Sequence, residues 1–150
     1  AAVHSVALYL LRTWMRKNRE SIARLWRAGE PVATTASAIA GVDQAPTEDD
    51  IAHIADSILA GAFTGDFAVA LERAAAFTDV VALGLRIEAR NMIARLKAAE
   101  GSDSSDSGIS AMEKQVRTKS SRLMHTAGNL FVTAKDFRHG ANLWRRGKLE

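Results

Sequence analysis

From Thr47 to Glu150 the chain runs for 104 residues without a proline, and this stretch permits helices much longer than the average globular helix. Within it, residues 66–100 carry apolar side chains at alternating gaps of three and four, the period of a helix with one apolar seam. The members of this seam are Phe67, Leu71, Ala74, Thr78, Val81, Leu85, Met92 and Leu96. An unbroken helix here would extend for about 50 Å. We therefore expect the other segments to pack against it.

A second pattern of the same kind follows a polar segment. Residues 101–109 are rich in serine and aspartate, and we expect them to form a solvated loop. Ser110 and Glu113 have the spacing of a capping box, which predicts that a helix starts there. Its apolar positions are Met112, Val116, Leu123, Ala127, Leu130, Ala134, Phe137, Ala141 and Trp144. Two long helices joined by a short polar loop predict an antiparallel hairpin of residues 66–100 and 110–146.

Three glycines lie inside these predicted helices, at Gly84, Gly128 and Gly140. Glycine costs roughly 1 kcal/mol relative to alanine in a helix interior, because it loses more backbone freedom on folding. The pattern alone therefore leaves open whether either long helix is broken at these positions.

The first third of the chain predicts shorter elements. An N-terminal helix over residues 2–28 would end at the Gly29-Glu30-Pro31 sequence, with an irregularity at Asn18. Thr47 followed by three acids predicts a capped helix over residues 48–60. Residues 32–40 are predicted to be a short helix or an ordered loop. The N-terminal stripe consists of Val3, Val6, Ala7, Leu10, Leu11, Trp14, Ile22, Leu25 and Trp26.

These elements predict an all-α fold: an up-and-down helical bundle in which the N-terminal helix and one or two short helices pack against the long hairpin. At 150 residues, with 47% apolar and 25% charged residues, the chain is long enough to bury a core as a single domain, residues 1–150. The same sequence is compatible with a fragment of a larger protein.

The charges divide the chain into three parts. Residues 1–30 carry six Lys/Arg and two acids, residues 31–108 carry five and twelve, and residues 109–150 carry nine and three. The net charges are therefore +4, −7 and +6. Basic ends around an acidic middle favour ion pairing between helices of the same molecule, and they equally suit a basic surface for an acidic partner.

Motifs for catalysis are absent from the sequence. The chain has no cysteine, which excludes disulfides, a thiol nucleophile and thiolate metal sites but leaves the compartment open between the cytoplasm and export. Asp49, His53 and Asp56 have a helical spacing that could ligate a metal, but a solvent-facing polar side explains them as well. No phosphate-binding glycine loop or nucleophile elbow occurs. We therefore assign no catalytic residue, cofactor or metal, and interpret the chain as non-enzymatic.

The candidate partner-binding residues are arginines near the two ends. Arg138, Arg145 and Arg146 lie close to Trp144, and arginine with tryptophan is enriched at binding hot spots. Arg12, Arg16 and Arg19 form the corresponding group in the N-terminal helix. This composition predicts a helical protein–protein interaction or assembly module with a protein partner, and self-association into a homo-oligomer stays open.

Two alternatives for the function remain. The first is a nucleic-acid-binding accessory protein whose basic helix faces contact phosphates, through the N-terminal arginines and through Lys114, Arg117, Lys119 and Arg122. The second is a secreted bacterial effector domain acting on a host protein, since Trp26 and Glu30 have the W-x-x-x-E spacing that resembles some exchange-factor effectors. Because this resemblance rests on two positions only, it does not assign a role to either residue. The longest apolar run, Val6 to Leu11, is too short to span a bilayer, and a core face explains the N-terminal stripe better than a membrane surface does.

Overall fold

A computed structural model of the chain describes residues 2–27, 46–100 and 106–149, and only the backbone at residues 100 and 106–110. These ranges contain helices and short turns and no strand, which confirms the all-α prediction. The predicted element at residues 32–40 and the helix stop at residues 29–31 lie outside them. The helices are α1 (Ala2–Lys17), α2 (residues 19–27, where this range ends), α3 (Glu48–Thr64), α4 (Phe67–Glu100) and α5 (Asp106–Arg145).

The long hairpin is formed by α4 and α5, which pack against each other in antiparallel directions. The rings of Phe67 and Trp144 meet near the start of α4 and the end of α5, with centroids 4.8 Å apart. Farther along, the Ser120 hydroxyl donates to the carbonyl of Ala89 at 3.4 Å. Both helices are continuous through their glycines. α5 begins at Asp106, so Ser110 lies inside the helix and is not its N-cap, contrary to our prediction.

The predicted cap of α3 is confirmed, and α4 is also capped by a side chain. The Thr47 hydroxyl accepts a hydrogen bond from the Asp50 amide at 3.3 Å, and the Asp50 carboxylate accepts one from the Thr47 amide at 2.9 Å. Asp66 accepts from the Ala68 amide at 2.9 Å and so caps α4. These side chains satisfy amides that the first helical turn leaves without partners. α3 continues to Thr64, four residues past the predicted end, because the helix accommodates Gly61.

The seam of α4 forms the centre of the core. Seven of its eight predicted members are buried, and Met92 is half-buried. Thr78, a polar residue in this seam, donates its hydroxyl hydrogen to the carbonyl of Ala74 at 2.6 Å. This bond removes the cost of burying the hydroxyl without a partner. The helix that the sequence predicted most clearly is therefore the one around which the bundle packs.

The N-terminal helix is interrupted at Asn18, between α1 and α2, where the sequence predicted an irregularity, and the side-chain amide of Asn18 donates to the carbonyl of Trp14 at 2.9 Å. Backbone bonds from Asn18 to Trp14 and from Ile22 to Asn18 keep the helical spacing across this residue. α2 packs on α4, where Trp26 is fully buried with its ring 4.8 Å from that of Phe77. Trp26 of the W-x-x-x-E spacing is thus a core residue. At this crossing a side chain on Gly84 would place its Cβ 2.2 Å from the carbonyl oxygen of Leu25. The absence of that carbon lets the two helices approach.

The predicted stripe of α1 is partly wrong. Val3, Val6 and Leu10 are 78%, 58% and 60% exposed, while the helix buries Leu8, Leu11 and Met15. Apolar residues cover more than one side of α1, so their spacing alone does not select the buried face. The rotation of α1 instead brings two of its arginines to an aspartate on α3, as described below. None of the helices in the described ranges has the length and apolarity needed to cross a membrane.

Candidate docking surface

The ion pairs between helices connect the basic ends of the chain to its acidic middle. On the α1 and α2 side they are Arg12 and Arg16 with Asp56, at 2.7 Å each, and Arg24 with Glu88, at 3.8 Å. On the α5 side they are Arg138 with Asp79, at 2.6 Å, and Arg145 with Glu72. The uneven charge distribution along the chain therefore serves helix pairing inside the molecule, which was one of its two predicted uses.

Three contacts between α4 and α5 recur every seven residues along both helices. Glu72 faces Arg145, Asp79 faces Arg138, and the guanidinium of Arg86 lies 5.7 Å from the ring centroid of Phe131. We call these the three cross-helix pairs. Seven residues are close to two helical turns, so the members lie in one row on each helix.

Asp79 is the more enclosed of the two paired carboxylates, with 21% of its side chain exposed against 35% for Glu72. Asp79 accepts from Arg138 through one carboxylate oxygen, and its other oxygen is buried with no hydrogen-bond partner among the described residues. Burial raises the pKa of Asp79 above its ordinary value, although Arg138 acts in the opposite direction. The loss of hydration therefore raises the pKa of this carboxylate more than the attraction of Arg138 lowers it. Arg138, a predicted partner-binding residue, is occupied in holding α5 on α4.

The rest of the predicted C-terminal group divides between internal and exposed positions. Arg145 donates to Glu72 and lowers the pKa of that carboxyl group. The Trp144 ring contacts the ring of Phe67 edge-on, yet its residue stays 41% exposed. Arg146 is exposed and has no ion pair within the described residues. Trp144 and Arg146 are therefore the two members of the group that a partner can reach without displacing an acid.

The predicted N-terminal group divides in a similar way. Arg12 and Arg16 each donate to a different oxygen of Asp56, and the Arg12 bond is the main reason that the pKa of Asp56 is lowered. Arg19 is exposed. Asp56 was one of three residues, with Asp49 and His53, whose spacing could have served a metal. Its carboxylate instead binds the two arginines. Across the described ranges, no group of three or more His, Asp or Glu side chains is placed to hold a metal ion.

A cleft of about 370 Å³ opens between α1 and α5, where His4 lies against Gly140. Val3, Ala7 and Phe137 supply its apolar lining. The remaining lining residues are the polar side chains of His4, Thr133, Asp136 and His139. We call this the α1–α5 cleft. The sequence did not predict it, because its two walls lie more than 120 residues apart.

An exposed apolar row extends from this cleft along α1. Val3, Val6, Tyr9 and Leu10 are each more than half exposed, and together they form what we call the α1 strip. Trp144 lies one turn beyond Gly140 on α5, and Gly140 is the residue that His4 of α1 approaches. The strip, the cleft and Trp144 together form the candidate docking surface.

Acidification is expected to weaken the packing of α1 on α5. Burial, the main cause, lowers the pKa of His4 below its ordinary value of 6.5, although Asp136 acts in the opposite direction. The unfolded chain then binds the His4 proton more readily than the folded chain, so the stabilisation present above pH 6.5 is lost as the pH falls. When the pH is lowered from 7.5 to 5.5, the melting temperature of the wild type should therefore decrease more than that of His4→Gln. Equal losses in both would assign the pH dependence to other groups.

Comparisons of the chain with protein-family models, curated proteins and solved structures found no match.

Proposed function

We propose that the protein is a non-enzymatic helical interaction module that binds a helix of a protein partner across the α1 strip and the α1–α5 cleft. The observation that carries this proposal is the position of four large apolar side chains, each more than half exposed, beside an open apolar cleft. Burying a side chain of this size contributes about 1.5–3 kcal/mol, so a partner that covers the strip gains substantially. Contiguous apolar rows of this kind mark interaction sites more often than single exposed residues do.

The shape of the surface suits an amphipathic helix. Such a helix presents apolar anchors at positions i, i+3 or i+4, and i+7, and it docks them into a groove. The α1–α5 cleft would receive one large anchor over Ala7 and Phe137, and the α1 strip would cover the remaining apolar face. Trp144 adds an aromatic side chain at one edge, and tryptophan is among the residues that contribute most at interfaces.

Exposed arginines at the margins would set the charge preference of the partner. Arg19 and Arg146 are exposed and form no ion pair with the described residues. Charges at an interface rim mainly change the association rate and its salt dependence. Arg12, Arg16, Arg138 and Arg145 already bind acids of this chain, so their contribution to docking is to hold α1 and α5 in place. The preferred partner helix is therefore apolar along one side and acidic along its flanks.

The test compares two double variants with equal changes in charge. Val6→Asp/Leu10→Asp places carboxylates in the α1 strip, and Phe63→Asp/Val132→Asp makes the same change at two exposed apolar positions outside the docking surface. Both should fold, because all four side chains are at least 58% exposed. Each protein is cross-linked to its partners in an extract of the source organism. The Phe63→Asp/Val132→Asp control should capture the same proteins as the wild type, and Val6→Asp/Leu10→Asp should capture at least tenfold less of them.

Light scattering of the purified proteins separates a foreign partner from a second copy. A wild-type dimer that the strip variant alone dissociates would show that the docked helix comes from another copy of this chain. Capture of the same proteins in equal amounts by the wild type and the strip variant, with unchanged mass in solution, would contradict the proposed function.

A further inference from the structure

The far part of the hairpin has a surface unlike that of the rest of the molecule. We call residues 90–99 of α4 and 111–126 of α5 the shaft. Within the shaft only Leu96 and Ser120 are buried, and the remaining side chains are exposed or half-buried. The shaft is therefore a two-helix rod with most of its surface accessible.

The charge of the shaft is almost entirely positive. Its one acid is Glu113, and its seven exposed cations are Arg90, Arg95, Lys97, Lys114, Arg117, Lys119 and Arg122. A polyanion would therefore be attracted to the sides of the shaft.

Most of these cations form no ion pair with acids of the described residues. In the body of the molecule, five arginines form ion pairs with acids on other helices. Among the seven shaft cations, within the described residues, Arg117 alone forms an ion pair, with Glu113 one turn away on the same helix at 2.8 Å. A surface pair of that kind on one helix contributes little to stability. The shaft thus holds uncompensated positive charge, which is the electrostatic footprint of a site for a polyanion.

One face of α5 concentrates the cations with hydrogen-bonding groups. Lys114, Lys119 and Arg122 line a shallow hollow together with Gln115 and Thr118, and no acid or aromatic side chain takes part. Lysine, arginine, glutamine and threonine are all residues that bind phosphate oxygens in protein–DNA complexes. Lys114 and Arg122 are eight residues apart, which places them about 12 Å apart along the helix axis.

We propose that this face of the shaft binds the phosphate backbone of double-stranded DNA and crosses its major groove. The B-form major groove is roughly 12 Å wide, close to the separation of Lys114 and Arg122 along α5, so the two cations can reach phosphates on opposite margins. Lys119 and Thr118 lie between them. The RNA duplex has a deep, narrow major groove that does not offer this span. Because the contacts are to phosphates, binding is independent of base sequence.

The composition of the shaft argues against other polyanions. Residues 87–130 contain no phenylalanine, tyrosine or tryptophan, so the shaft lacks the aromatic platforms on which single-stranded bases stack. A membrane-binding helix needs a continuous apolar face opposite its basic face. In the shaft part of α5, the exposed large apolar side chains are Met112 and Met124, which lie twelve residues apart, and Val116 and Leu123 are half-buried. Duplex DNA therefore fits the shaft better than a single strand or a lipid surface does.

The experiment measures fluorescence anisotropy of a labelled 24-base-pair DNA duplex titrated with the full chain. Neutralising three phosphates predicts that the logarithm of affinity falls with the logarithm of salt concentration with a slope of about −2.7, or roughly 40-fold between 50 and 200 mM salt. Lys114→Gln/Lys119→Gln/Arg122→Gln should weaken binding at 50 mM salt by tenfold or more and reduce the slope. Lys17→Gln/Lys135→Gln/Lys148→Gln removes equal charge at exposed positions outside the shaft, and its affinity should stay within threefold of the wild type.

The remaining outcomes overturn the proposal. They are failure of the wild type to bind the duplex at 50 mM salt, equal losses in the two triple variants, and equal or tighter binding to a single strand of the same length, to an RNA duplex or to vesicles of anionic lipid. Circular dichroism of both triple variants should show unchanged melting, since all six side chains are exposed. If the shaft variant melts lower, the double change Lys119→Gln/Arg122→Gln serves in its place, with an expected loss of about fivefold or more.

Discussion

Replacing Trp26 by alanine is expected to lower the free energy of unfolding by about 3–5 kcal/mol. Trp26 is fully buried between α2 and α4, with its ring beside Phe77, so the change removes a large apolar surface and leaves a cavity in the centre of the bundle. A tilted aromatic pair contributes about 0.5–1.5 kcal/mol beyond its burial, and this is lost as well. Urea denaturation followed by circular dichroism measures the difference.

Trp144→Ala provides the matched control for this prediction. Its ring also contacts a phenylalanine, Phe67, but Trp144 is 41% exposed, so its loss is expected to cost less than half as much. A cost below about 1 kcal/mol for Trp26→Ala would mean that α2 does not pack on α4 as described. Equal costs for the two substitutions would contradict the difference in burial.

Alanine substitutions at two helical glycines are expected to change stability in opposite directions. In an open helix position, alanine is favoured over glycine by roughly 1 kcal/mol. At Gly128 an added Cβ meets nothing within 4 Å, so Gly128→Ala should stabilise the protein by up to that amount. At Gly84 the same carbon would lie 2.2 Å from the Leu25 carbonyl oxygen, and backbone cannot move aside as a flexible side chain does. Gly84→Ala should therefore destabilise the protein by about 1–3 kcal/mol.

Thermal and urea unfolding measure the stability of each variant relative to the wild type, and the two differences are then compared. Because both changes have the same intrinsic effect on helix formation, the difference between them reports on the contact of α2 with α4 alone. Stabilisation by both substitutions would show that the two helices are farther apart at Gly84 than the structure places them.

The parts of the fold that depend on neighbours in sequence were predictable. The α4 seam follows from helical period, and the caps at Thr47 and Asp66 follow from side-chain oxygens that reach amides two or three residues away. The buried face of α1 was not predictable in this way, because apolar residues occupy several sides of that helix. Its rotation depends on Arg12 and Arg16 meeting Asp56, which lies 40 or more residues away.

The candidate docking surface was predictable only in part, for the same reason. Composition identified Trp144 and the arginines around it, but it did not show that Arg138 and Arg145 bind acids on α4. The charge distribution predicted pairing between the ends and the middle of the chain without naming the partners. The α1–α5 cleft required the approach of His4 to Gly140, which no local pattern encodes. In the shaft, the sequence identified the four cations of α5 but not the three of α4, and the structure showed that Arg117 alone forms an ion pair among the described residues.

The three cross-helix pairs have a consequence for the alignment of the hairpin. If α5 slid by seven residues so that Arg145 met Asp79, Arg138 would come to face Arg86, and two like charges would repel each other. A slide in the opposite direction would keep an arginine opposite Glu72 but would place the enclosed Asp79 against Phe131. Each wrong register therefore places a charge beside a like charge, or a carboxylate beside an apolar ring. The native register forms all three cross-helix pairs. Long helices with repeating alanine-rich faces can slip past one another, and here the order of charges along the two helices selects a single alignment.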